Sequence, residues 1–195
     1  TQKCEAILQA WYPGQQGGKA VAEVLFGDYN PAGKLPVTFY RNVSQLPDFE
    51  DYNMTGRTYR YMQDVPLFPF GYGLSYTTFG YGKTVLDKNE LTAGQSLKLT
   101  VPVTNTGKRN GEEVVQVYLR KQGDAEGPIK TLRAFKRVSI PAGKTVNVEF
   151  DLKDKELEWW DDQSNTVRVC PGNYDIMVGG SSKEEDLQRT TIAIK

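Results

Sequence analysis

Leu97-Lys98-Leu99-Thr100-Val101-Pro102-Val103-Thr104 sets an aliphatic residue at every odd position and a polar residue or proline at every even one. Side chains of an extended strand alternate between two faces, so Leu97, Leu99, Val101 and Val103 share one buried face. The same period of two returns at Val115, Val117, Leu119, at Val146, Val148, Phe150, Leu152, at Tyr174, Ile176, Val178, and at Ile192, Ile194. Turn residues punctuate these runs: Asn105-Thr106-Gly107, Pro141-Ala142-Gly143 and Pro171-Gly172-Asn173. Half-buried strands at such spacing predict an antiparallel β-sandwich. Pro102 lacks an N–H and therefore predicts an edge position or a bulge.

Residues 76–195 fit one immunoglobulin-like or fibronectin type III-like domain, which takes roughly 100 residues. Residues 1–75 follow another pattern. Ala6-Ile7-Leu8 with Ala10-Trp11, stopped by Pro13-Gly14, reads as a buried parallel strand, apolar on both faces. Gln15-Gln16-Gly17-Gly18 then leads into a helix over Lys19–Phe26, with Ala20, Val21, Val24 and Leu25 on one face and Gly27 as its stop. One βα pair cannot cover a parallel strand, so the rest of its sheet is expected upstream of Thr1. The start at Thr1, without initiator Met or leader, agrees with a piece of a longer chain or a processed one. The fold class expected is mainly β: a sandwich at 76–195 preceded, at 1–75, by the remnant of an α/β sandwich domain and an irregular aromatic excursion. Within that excursion Leu35–Phe39 reads as a short edge strand.

Composition removes several functions. There is no histidine, which excludes His-based acid/base chemistry, Ser-His-Asp and Cys-His systems and every His-containing metal site. Lys plus Arg equals Asp plus Glu at 24 each, so charge gives no reason to expect nucleic acid or an anionic membrane as partner. No apolar run reaches the roughly 20 residues of a membrane helix. Cys4 and Cys170 are expected to be small buried apolar residues rather than a disulfide.

Several stretches in order carry a resemblance. Ala6–Gly18 with Val24–Phe39, then Gly56-Arg57-Thr58-Tyr59-Arg60-Tyr61, then Pro69–Phe79, resemble the late segment of glycoside hydrolase family 3. Glu113–Tyr118, Leu132–Arg137 and Pro171–Gly179 look like that family's fibronectin type III-like terminal domain. The resemblance implies a parent that hydrolyses β-linked oligosaccharides with retention, through two carboxylates roughly 5–5.5 Å apart. In the family the nucleophilic Asp and the acid/base Glu both precede the segment matched here. The resemblance therefore implies no catalytic residue, metal ligand or cofactor in this chain, the upstream catalytic domains as its partner, and a periplasmic or extracellular location. Gly56–Tyr61 resembles the β-xylosidase and arabinosidase branch more than the β-glucosidase branch, although Met62 departs from the usual aromatic.

Candidate binding residues are few. Tyr12 and Gln15 lie where a strand ends and a helix begins, the side of an α/β sheet where ligands gather; they suit either a sugar pocket or a tight structural turn. Arg57 and Arg60 suit sugar hydroxyls, or anchoring of the excursion against Asp48, Glu50 or Asp51. The neighbouring acids Glu112-Glu113, Asp161-Asp162 and Glu184-Glu185-Asp186 read as solvated charges, since adjacent strand residues face apart. Of Trp159-Trp160, one ring is expected in the core and the other outside, as a contact for a neighbouring domain or a platform for sugar.

Overall fold

Two facing sheets carry the alternation read above in a computed structural model, which describes residues 4–195. The first region holds helix α1 (Gly17–Phe26), a 3-10 turn at Val43–Gln45 and the single-turn helix α2 (Thr58–Tyr61). Strands β1 (Phe79–Tyr81), β2 (Val85–Leu86), β3 (Glu90–Leu91), β4 (Leu97–Asn105), β5 (Gly111–Lys121), β6 (Thr131–Ile140) and β7 (Thr145–Leu152) follow. Helix α3 (Asp154–Leu157), a hairpin of β8 (Trp159–Asp161) and β9 (Thr166–Arg168), then β10 (Gly172–Gly179) and β11 (Gln188–Ile194) complete the chain.

One sheet centres on β4, which pairs with β7 on one side and with β1 and β2 on the other; the second runs β3-β11-β10-β5-β6. Leu97, Leu99, Val101 and Val103 of β4 meet Val115, Val117 and Leu119 of β5 and Ile176 and Val178 of β10 in one core. Each such side chain contributes about 1.5–3 kcal/mol by leaving water. Pro102 is not at an edge. It faces Asn147 of β7, and on its other side it falls between the segments bound by β1 and β2, where its carbonyl accepts from Gly82 N–H at 2.7 Å. The missing donor is thus placed in a gap between two partners. Strand β6 shows no clean period of two in sequence: Arg133, Lys136 and Arg137 interrupt its alternation because it is the sheet's last strand.

The opening βα pair is only half formed. Helix α1 stands as expected, ended by Gly27 in the left-handed region at φ 81°. The expected parallel strand is absent: Ala6–Trp11 forms no ladder, and Ile7 is 57% exposed. A parallel strand needs hydrogen-bonding neighbours, and the described residues supply none. Leu25 and Phe26, the latter 84% exposed, leave the C-terminal end of the helix equally open, while Val21 and Val24 are half-buried. The expected edge strand at Leu35–Phe39 reduces to a bridge between Phe39 and Phe68, with Leu35 bound to Gly71 and Tyr72. Cys170 is buried and free as expected, whereas Cys4 is free but exposed, for the same want of cover.

Candidate functional site

The excursion from Asp28 to Tyr76 is held against β5 by contacts to side chains on both faces of that strand. Lys34 places its Nζ 3.1 Å from Glu113 Oε1 and donates to Gly73 O at 2.9 Å; Glu113 is buried and Lys34 half-buried. The Tyr81 hydroxyl donates to Glu113 at 3.2 Å. Burial pushes the Glu113 carboxyl up, against the opposing pull of Lys34 and Tyr81. Burial, then the Glu113 charge, likewise raises the Tyr81 phenol far above its ordinary value.

Three residues along and on the other face, Gln116 Nε2 donates to Gly71 O at 3.2 Å and to Gly180 O at 2.6 Å, while its Oε1 accepts from the Tyr118 hydroxyl. Gly71 has φ 77°, and a Cβ there would sit 2.0 Å from Gln116 Oε1, so both backbone conformation and close approach require glycine. Tyr59 stacks on Phe70 with centroids 4.3 Å apart, meets Tyr118 edge-on, and accepts from Leu132 N–H at 3.1 Å. Asn30 Oδ1 accepts from Ser75 and from Tyr76 N–H, each at 2.8 Å, while its amide reaches Asn110 O at 2.9 Å. These contacts fasten two parts of the chain together.

The sequence flagged other residues, and the structure places them apart from this cluster. Tyr12 is fully exposed and Gln15 is exposed, on the turn that enters α1. That turn is built locally: Trp11 takes φ 54°, Gly17 N–H donates to Gly14 O at 2.9 Å, and a Cβ at Gly17 would strike the Pro13 ring. Arg57 does anchor the excursion, but through the backbone carbonyls of Asp48, Asp51 and Asn53 rather than the carboxylates of Asp48, Glu50 or Asp51, because the tight loop turns those carbonyl oxygens toward it. Arg60 forms no ion pair with those acids; its guanidinium lies over the Tyr61 ring and its carbonyl accepts from Ile129 N–H.

The neighbouring acids are each engaged separately. Glu112 pairs with Arg137 outside the sheet while Glu113 turns inward to Lys34, as strand geometry requires. Asp161 binds Ser164 and Arg168, which hold its carboxyl down at about 2. Glu184 meets Lys130 and Arg189, and Glu185 meets Lys183. Trp159 is buried, its indole N–H bound to Asp124 at 2.6 Å, and Trp160 faces out. Lys34 and Gln116 were not singled out from the sequence, and Glu113, expected as a solvated charge, is buried because it faces the core side of β5. Their signals were an acid on the apolar parity of β5, and uncharged Gln116 and Tyr118 on a face that solvent would normally charge.

Comparison with known proteins identifies the two regions that these contacts join. Residues 1–76 match the glycosyl hydrolase family 3 C-terminal domain, and residues 113–182 match a fibronectin type III-like domain. A xylan 1,4-beta-xylosidase of Xylanibacter ruminicola is 55% identical over 194 residues, covering 100% of this chain and 22% of that protein. A periplasmic beta-glucosidase of Salmonella typhimurium is 38% identical, over 93% of this chain and 25% of its own length. The solved β-glucosidase of Erythrobacter marinus superposes with a TM-score of 0.80 at 42% identity, over 95% of this chain and 24% of that one. The chain thus spans about a quarter of the length of the relatives it matches. Residues 1–76 thus belong to the glycosyl hydrolase family 3 C-terminal domain family, and a fibronectin type III-like domain follows them.

Proposed function

We propose that this chain is the non-catalytic C-terminal portion of a retaining, exo-acting β-glycosidase whose substrates are plant-type oligosaccharides. The single observation that carries the reading is the open apolar face of the Ala6–Phe26 unit, joined to a sandwich fastened on the excursion. Such a face suits the remaining strands of an α/β sandwich domain. In this reading residues 1–75 close that domain and residues 76–195 brace it, and the two catalytic carboxylates are supplied by the upstream domains. The chemistry needs no metal or cofactor: one carboxylate attacks the anomeric carbon while the other protonates the leaving oxygen, and water then resolves the glycosyl-enzyme. The β-xylosidase and arabinosidase branch is favoured over β-glucosidase, supported by the Gly56–Tyr61 stretch and by the xylosidase name of the 55% identical relative.

Tyr12 and Gln15 are assigned to the rim of the sugar pocket, since both side chains are exposed beside the N-terminus of α1. Their role predicts that Tyr12→Ala in the full-length enzyme raises KM with kcat nearly unchanged. A periplasmic or extracellular location is part of the reading, in keeping with the periplasmic relative; fractionation of producing cells tests it. The decisive assay is simple. The 195-residue chain alone should release no p-nitrophenol from aryl β-xylosides or β-glucosides. Turnover that co-purifies with it overturns the reading.

A further inference from the structure

The β8–β9 hairpin belongs to neither main sheet, and its two tryptophans do opposite things. Trp159 is the root. It is buried, bonded to Asp124, packed edge-on against Tyr174 and overlaid by the Arg133 guanidinium. Trp160 is the crown: it keeps 49% of its surface open, and Val167, directly across the ladder and 52% open, lies beside it on the same face. The turn above is rigid, because Asp161 is tied to Ser164 at 2.6 Å and to Arg168 at 2.7 Å. The Trp160 ring is itself oriented, since its indole N–H donates to Asp162 Oδ1 at 2.7 Å. That bond leaves the second Asp162 oxygen as a strong acceptor next to an apolar plane.

We propose that Trp160, Val167 and Asp162 form a platform for a neutral polysaccharide chain, separate from any catalytic pocket. A sugar ring offers an apolar face of C–H groups edged by hydroxyls. It needs a flat apolar surface with acceptors at its margin, and this hairpin supplies both. Because the ring is fixed in advance, binding orders little. A protein partner fits poorly: the apolar patch is two side chains wide, whereas a stable interface covers about 800 Å² on each side. Around the patch Gln163, Ser164, Asn165 and Thr166 are all exposed and polar, which suits hydroxyls and not a second apolar surface. The choice of xylan as the first glycan rests on the reading above; the platform does not.

The test is a calorimetric titration of the 195-residue chain with xylohexaose and with cellohexaose, alongside far-UV circular dichroism. Trp160→Ala should weaken binding by roughly tenfold or more. Asp162→Asn should weaken it less, and Trp11→Ala should leave it unchanged. Binding of cellohexaose but not xylohexaose upholds the platform while counting against the xylosidase assignment. The platform fails if folded Trp160→Ala binds as well as the parent chain, or if neither oligosaccharide binds. It also fails if Trp160→Ala acts only by dissolving a complex between copies, read by sedimentation.

Discussion

Lys34 and Glu113, 79 positions apart in sequence, meet as a largely buried ion pair, with Lys34 Nζ 3.1 Å from Glu113 Oε1. A buried pair of this kind gains little over an apolar pair of the same volume, yet breaking it is costly because one charge remains in a low-dielectric site. Lys34→Ala strips Glu113 of its cation and should lower stability by about 3 kcal/mol. The replacement of both residues, Lys34→Met with Glu113→Leu, should recover most of that. Urea denaturation followed by fluorescence measures both.

The same carboxylate gives a pH signature. Burial raises the folded-state value of Glu113 above 4.5, so the native chain binds this proton more tightly than the unfolded chain does. Below 4.5 both states are protonated. As pH rises through the folded value, the unfolded state has already released the proton and the native state must follow, so this group's contribution falls. Relative to Glu113→Gln, the parent chain should therefore lose stability across the window just above pH 4.5. Equal slopes for the two proteins would exclude the mechanism.

Gly71 allows the third test. Its left-handed φ of 77° and the 2.0 Å approach of Gln116 to any added Cβ act together. Gly71→Ala should cost about 1–3 kcal/mol and free the excursion, so trypsin should cut at Arg57 or Arg60 faster than in the parent chain. An unchanged cleavage rate would mean that the Gly71–Gln116 contact does not control docking.

The open apolar C-terminal end of α1 predicts association in solution. Leu25→Ser with Phe26→Ser should reduce self-association in sedimentation velocity while changing stability by less than about 0.5 kcal/mol, because neither side chain is packed. A large loss of stability would show these residues to be covered from within.

What could be read from sequence followed from where each residue's surroundings come from. The β4, β5, β7 and β10 strands were legible because their partners lie within the chain and the alternation is set by the core they share. The helix at Gly17–Phe26 was legible too, from its period and its glycine stop. The strand at Ala6–Trp11 was not realised, because an apolar run names a need for neighbours without supplying them. The Lys34–Glu113 pair was illegible for another reason: pairing across 79 residues depends on how an irregular segment is laid down, and no local period encodes that. Pro102 was half legible, since the missing donor was certain and the gap between two short partner strands was not.

Gln116 holds Gly71, Gly180 and Tyr118 through one amide. Two distant stretches of backbone, at Gly71 and Gly180, therefore meet at a single buried group that the neighbouring Tyr118 hydroxyl holds in place. The sandwich is consequently no swinging appendage on a pliant tether. Its detachment and its unfolding should be a single cooperative event, and force or heat applied to one part will be felt at once by the other.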